Sequence, residues 1–206
     1  MIYLSDDYIT KYCDSLSYLI GRSFHEGYSF DYIEKSIAYS LFASEFEKSN
    51  VTLIAFSSME KLYSDIFQSK KNTYEFDAYD IFGWIGYTYI HLFLSLEITF
   101  EALFNLVSIE EMMGLYNLYH EMSFSQTQDY VLSIMKHSLL DVIMRRKKIS
   151  NKKLSIKTHL SVSTINALRY GNRDIRKLES DKLLSLSREL NIKMETLLPN
   201  IHLIKK

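Results

Sequence analysis

The sequence predicts an all-α protein, and three observations carry that prediction. Only 6 Gly and 1 Pro occur in 206 residues, too few turn-formers for a loop-rich β fold. Apolar residues make up 47% of the chain and recur at spacings of three and four rather than alternating. Residues suited to N-caps precede several of these runs. The length suffices for one ordinary domain and a smaller second one. The expected organisation is an N-terminal helical domain of six to seven helices over residues 1–135 and a compact helical domain over 136–206.

In residues 8–20, Tyr8, Ile9, Tyr12, Leu16, Leu19 and Ile20 share one helical face. Gly21 and Gly27 bracket a break. Residues 29–47 form a second helix, with Tyr32, Ile33, Ile37, Leu41 and Phe42 along its stripe, and residues 52–67 a third. Residues 68–76 are a polar connection containing Ser69, Lys70, Lys71 and Asn72.

Residues 77–94 form a fourth helix, whose Tyr79, Phe82, Trp84, Ile85, Tyr87, Tyr89, Ile90 and Leu92 leave little polar face. His91, Glu97 and Glu101 interrupt the apolar stretch 81–104, which therefore reads as core rather than as a membrane span. Gly83 and Gly86, three apart in that helix, point to close helix packing. Thr99 is a candidate N-cap for a short helix. Ser108 with Glu111 three residues on is a capping box, opening a helix to about residue 121. Residues 125–147 read as one long helix across the junction, since no Pro-, Gly- or Ser-rich linker intervenes.

The net charge of −1 conceals a strong asymmetry. Residues 136–206 hold 17 Lys and Arg against 6 Asp and Glu, and residues 1–135 hold 7 against 19. A +11 segment on a −12 body suggests a polyanion-binding module carried by an acidic domain.

The basic segment has its own order. Arg145, Arg146, Lys147 and Lys148 suit a helix C-terminus. Ser150 is a plain N-cap and Ser161 caps a following short helix. Leu154, Ile165 and Leu168 sit where two steeply crossed helices would share a core, with Ser155 small enough for their close approach. Gly171 and Asn191 are placed for left-handed C-caps, and Pro199 stops the last short helix at residues 193–198. Leu183, Leu184, Leu186 and Leu190 are the apolar positions of the helix between them.

Leu154-Ser155, Ser161-Val162-Ser163-Thr164-Ile165, Tyr170-Gly171-Asn172-Arg173, residues 183–192 and Met194-Glu195-Thr196-Leu197-Leu198 together resemble the Cro and lambda-repressor type helix-turn-helix, the XRE family of bacterial and phage regulators. The resemblance spans residues 136–199 and implies a five-helix DNA-binding domain. His159 stands where the turn usually holds Gly, and Ser155 where Ala is usual. The resemblance assigns base-edge contacts to Val162, Ser163, Asn166 and Ala167, the methyl groups suiting thymine and the amide suiting adenine. It assigns phosphate contacts to Asn151, Lys152, Ser161, Arg169, Asn172 and Arg173. It also implies a homodimer on a palindromic double-stranded operator, with half-sites about 34 Å apart.

The N-terminal part carries Gly83-Trp84-Ile85-Gly86-Tyr87, Thr99-Phe100-Glu101-Ala102-Leu103-Phe104, Glu110-Glu111-Met112 and Leu115-Tyr116-Asn117-Leu118-Tyr119-His120-Glu121-Met122. These resemble small helical proteins of Firmicutes encoded beside toxin genes, with Ser108-Ile109 where that family usually has Pro. The resemblance implies an antitoxin that binds a cognate toxin, for which an ADP-ribosyltransferase-like protein is one candidate. A free-standing repressor whose N-terminal domain senses a ligand or peptide is the alternative.

No enzyme signature emerges. His120-Glu121 lacks a second His four residues on for a zinc-protease motif, and Gly83-Trp84-Ile85-Gly86 lacks the Lys-Ser/Thr of a phosphate loop. His91 and His120 are expected to rest against tyrosines in the core. Neither a catalytic residue, a metal nor a cofactor is expected. The single cysteine, Cys13, and the lack of a basic-then-apolar start fit a cytoplasmic protein without membrane association.

Overall fold

A computed structural model of the chain describes residues 4–68, 80–135 and 137–198. Among these residues there are thirteen α-helices, two short 3-10 turns and no strand. The organising pair is α1 (Asp6–His25) against α6 (Ile81–Leu96), which run along each other for most of their length. Their approach depends on Gly86. A Cβ built there would lie 2.1 Å from Ser17 Oγ, 2.7 Å from Ser17 N and 2.9 Å from the Cys13 carbonyl. The sequence spacing of Gly83 and Gly86 pointed to this contact. Gly21 is buried inside α1, and the break falls at Gly27, whose φ is +84°.

Two stretches read as single helices are each divided in two by a serine. Residues 29–47 become α2 (Phe30–Ala38) and α3 (Leu41–Glu47), because Ser40 turns extended and accepts the Ala43 amide at 3.2 Å. Residues 52–67 become α4 (Thr52–Phe56) and α5 (Met59–Ile66), where Ser58 accepts the Lys61 amide at 3.2 Å. A capping hydroxyl satisfies a backbone donor locally, which competes with continuing the helix. The expected connection at 69–76 and the expected first residues of the fourth helix, 77–79, lie outside the described residues. Asp80 caps α6, its carboxylate accepting the Phe82 and Gly83 amides at 2.7 and 2.9 Å.

After Glu97, at φ +52°, the chain bends by 110° into α7 (Phe100–Leu106), capped by Thr99. No single helix among the described residues is long and apolar enough to cross a membrane. The Ser108–Glu111 capping box forms as read and opens α8 (Ile109–Tyr119). The expected long helix over 125–147 does not form. It divides into α9 (Phe124–Ile134) and α10 (Leu139–Arg146), because Ser138 turns extended and caps α10 through the Asp141 amide at 3.2 Å. Among the described residues, nine N-terminal helices thus stand where six to seven were expected. The chain continues through α11 (Asn151–Thr158), α12 (Val162–Arg169), a 3-10 turn (Ile175–Lys177), α13 (Ser180–Leu190) and a second 3-10 turn (Met194–Leu197).

Helix α7 joins the two ends of the molecule. It packs against α2 on one side and against α10 and the last 3-10 turn on the other. Glu101, 5% exposed, is its polar centre. Its carboxylate accepts the Lys193 amide at 2.8 Å, the Thr196 hydroxyl at 2.6 Å and the Tyr39 hydroxyl. Lys193 Nζ donates to the Ala38 carbonyl at 2.8 Å, and Arg146 donates to the Leu106 carbonyl at 2.9 Å. A buried carboxylate satisfied from both sides resists separation, because parting the halves would strand it.

Gly86→Ala is expected to lower stability by about 1–3 kcal/mol or more, since Ser17 backbone lies in the way. Gly114→Ala, with open space around it, is expected to raise stability by about 0.5–1 kcal/mol. Urea unfolding of the two variants checks the contrast. Glu34 gives a pH signature: burial pushes its carboxyl from 4.5 up to about 7, against the lowering effect of the Ile109 amide it accepts at 2.7 Å. The folded state therefore holds this proton more tightly than the unfolded chain. The associated stability is full below pH 4.5 and falls, by roughly 3 kcal/mol, as pH rises to about 7. Glu34→Gln should flatten that slope in denaturation curves at pH 4.5–8.

Candidate nucleic-acid interface

Helices α10 to α13 pack on one another, and their buried side chains are continuous with the core of the N-terminal helices. Leu154, Ile165, Leu168, Leu183, Leu186, Leu190 and Leu197 are all buried, as the spacing implied, while Leu184 is turned outward. The turn between α11 and α12 passes through His159 at φ +55°, the left-handed position that Gly would occupy at lower cost. Ser155 occupies the close approach and donates its hydroxyl to the Leu160 carbonyl at 2.5 Å. Ser150 caps α11 through the Lys153 amide, and Ser161 caps α12 through the Thr164 amide at 3.0 Å. Gly171 at φ +74° and Asn191 at φ +48° take the left-handed positions expected of them. The last expected helix is the 3-10 turn, and Pro199 lies outside the described residues.

With Ile165 and Leu168 inward, α12 turns its other face to solvent. Val162 is 44% exposed and Ser163 is exposed beside it, while Asn166 and Ala167 are half-buried on the flank. Lys152, Asn172 and Arg173 are exposed, and among the described residues neither the Lys152 nor the Arg173 side chain has a hydrogen-bond or ion-pair partner. Ser161 is exposed, but its hydroxyl is already engaged by the cap and by Ser163 and Thr164.

Asn151 and Arg169 are placed differently from these solvent-facing residues. Arg169 Nε donates to Asp141 at 2.6 Å and its Nη1 to Asn151 Oδ1 at 3.1 Å, and the Asn151 amide in turn donates to Asn166 Oδ1. This relay runs from a buried carboxylate to the flank of α12 and, among the described residues, leaves Arg169 Nη2 without a hydrogen bond. Asp141 is 3% exposed and also accepts Arg145 Nε at 2.9 Å. Burial pushes its carboxyl up, but the hydrogen bonds from Arg169 and Arg145 outweigh burial and hold it below its ordinary value. One residue before α10, Ser138 donates to the Arg169 carbonyl at 2.7 Å, and the His137 ring meets Tyr170 edge-on at 4.9 Å. Sequence reasoning missed Asp141 and Ser138. The available signal was that Asp141 is the lone acidic residue between Asp129 and Asp174 and stands four before Arg145.

A helix of eight residues, capped by serine and fixed by its apolar face against a second helix across a left-handed turn, is the geometry that enters a DNA major groove. Residues 139–199 match the family described as the Cro/C1-type HTH DNA-binding domain. This segment is a Cro/C1-type helix-turn-helix domain. No curated protein and no solved structure matches the chain. The helix-turn-helix makes the protein a DNA-binding transcriptional regulator.

Outside the helix-turn-helix, His91 lies 4.1 Å from the Tyr87 ring and His120 stacks on Tyr116 at 4.5 Å, so both rest on tyrosines as expected. They do so at half-exposed and exposed positions rather than in the core. Among the described residues no group of three or more His, Cys, Asp and Glu side chains is arranged to hold a metal. Cys13 is buried, and burial pushes its thiol up to about 12.

Asp141→Asn should loosen α12 from α10 and lower stability by about 1–3 kcal/mol. The wild-type contribution is present at neutral pH and is lost as pH falls below 3.8. Hydrogen exchange should show faster exchange in α12 and around Arg169 of the variant, with α1 and α6 unchanged.

Proposed function

We propose that this protein is an operator-binding repressor that acts as a homodimer in the cytoplasm, with residues 136–206 reading DNA and residues 1–135 serving dimerisation and partner binding. The observation that carries this reading is the open face of α12, flanked by Lys152 and Arg173, cations with no ion-pair partner among the described residues. Val162, Ser163, Asn166 and Ala167 are the base-reading positions. Val162 and Ala167 offer methyl groups, and Asn166 keeps its amide nitrogen for an adenine edge. Lys152, Asn172 and Arg173, with Ser161, contact phosphate, where positive charge positions the helix without reading sequence. Asn151 and Arg169 serve the same backbone through their remaining polar atoms while holding Asn166 in place. No step of this reading requires an enzyme or a cofactor.

The finer reading is a type II antitoxin that neutralises a toxin by direct binding and represses its own operon. It is supported by the resemblance of residues 79–130 and by exposed aromatic and apolar residues from α6 to α9. Tyr87 on α6, Leu118 on α8, Met122 in the turn after α8 and Tyr130 on α9 are exposed, Leu118 to 65%. Trp84 packs edge-on against Tyr116, and His91 against Phe124. Exposed apolar clusters mark interaction surfaces, and aromatic residues are enriched in them. A second reading, control by a small ligand, is favoured by a cavity between α2, α7 and α10.

Asn166→Ala should weaken binding to the cognate operator while leaving binding to random DNA nearly unchanged. Arg173→Ala should weaken binding to every sequence and reduce the salt slope by about one phosphate. Fluorescence anisotropy on the DNA upstream of the gene, over a salt series, measures both. Equal affinity of the wild type and both variants would remove the assignment. Co-expression with the product of the adjacent gene separates the antitoxin reading. That product should be toxic alone and should co-purify with this chain, and failure on both counts rejects it.

A further inference from the structure

A cavity of about 620 Å³ opens where the N-terminal helices meet the helix-turn-helix domain. Its volume lies within the range of small-molecule sites, which favour domain junctions. One wall comes from α2 and α7, through Tyr39, Phe104 and Asn105, and the other from the end of α10 and from Asn191. The charges around it divide into satisfied and unsatisfied groups. Lys35 pairs with Asp31 at 2.7 Å, and Arg146 is taken by Glu111 and the Leu106 carbonyl. Glu101 is saturated by Lys193, Thr196 and Tyr39, and Glu34 accepts the Ile109 amide.

Lys147 differs from all of these. Lys147 lines the cavity, and among the described residues its ammonium has neither a hydrogen bond nor an ion pair. The side chain reaches solvent, yet its surroundings desolvate it enough to lower its pKa. An unpaired, partly desolvated cation favours an incoming anion. Asn105 spends its amide on the Glu101 carbonyl and keeps its Oδ1, and the Asn191 side chain is without a partner among the described residues. Phe104, Ala38 and the ring of Tyr39 supply apolar surface.

We propose that this cavity is an effector site for a small organic anion with an apolar body, its carboxylate or phosphate held by Lys147. Because the walls belong to both halves of the molecule, occupancy changes how firmly the helix-turn-helix is held against α2 and α7, and DNA affinity changes with it by linkage. Only that last consequence rests on the operator-binding reading. Occupancy of the cavity does not.

Ligand-observed NMR on the full-length protein tests the proposal with matched probes. These are hexanoate, benzoate and phenyl phosphate against hexanamide and benzamide. At least one anion should bind in the millimolar range or tighter, and the amides should not. Benzoate against phenyl phosphate distinguishes a carboxylate site from a phosphate site. Lys147→Ala should weaken the anion by about tenfold, and Lys147→Glu should abolish binding, with the melting temperature of both variants near wild type. The bound anion should also shift operator affinity of the wild type and not of Lys147→Ala. Absence of anion binding, equal binding of the amides, or binding indifferent to Lys147 overturns the site. Anion binding without any shift in operator affinity, in a protein that does bind its operator, overturns the effector role.

Discussion

The presentation of α12 depends on one buried carboxylate. Asp141 sits in the first turn of α10 and takes a guanidinium from its own helix, Arg145, and another from the end of α12, Arg169. Two cations around one desolvated anion offset its burial cost, which neither would do as well alone. The geometry that follows is specific. Arg169 is fixed, Asn151 is fixed by Arg169, and Asn166 is fixed by Asn151. If Asn166 reads a base edge as proposed, it gains from being held before DNA arrives, because less side-chain freedom is then lost on binding.

A second buried carboxylate, Glu101, applies the same physics one level up. It is satisfied by groups from α2's end and from the last 3-10 turn, so the two halves of the chain meet around it. Helix α7 is therefore buried on nearly all sides although it is only seven residues long. The helix-turn-helix is not a module on a tether. It abuts the N-terminal helices, as the absence of a Pro-, Gly- or Ser-rich linker implied. The proposed DNA face and the proposed partner or ligand surfaces belong to one packed body, which makes regulation of one by the other physically accessible.

Much of this was legible in the sequence because the signals were local. The Ser108–Glu111 capping box, the caps at Ser150 and Ser161, the left-handed Gly171 and Asn191, and the close approach at Gly86 are each set by a few neighbouring residues. What was not legible is set by competition or by distance. Residues 29–47 and 52–67 have continuous helical periodicity, yet Ser40 and Ser58 cap new helices inside them. Periodicity does not register such a break, because the apolar stripe resumes on the far side. The helix read across 125–147 failed for the same reason, with Ser138 also engaged by the Arg169 carbonyl 31 residues away. Of the residues proposed to contact DNA, those that the structure leaves exposed were named from family spacing alone. The supporting role of Asn151 and Arg169 depends on the pairing of Arg169 with Asp141, 28 residues earlier in the chain, which no local motif marks.

The most direct test of the account asks which surface touches DNA. A photo-crosslinking amino acid placed at Ser163, on the open face of α12, or at Leu184, exposed on α13, can be irradiated with DNA selected by the full-length protein from a random pool. The account predicts that selection enriches a two-fold symmetric sequence and that crosslinks form from position 163 and not from 184. No enrichment, or crosslinking from 184 as strong as from 163, would contradict it.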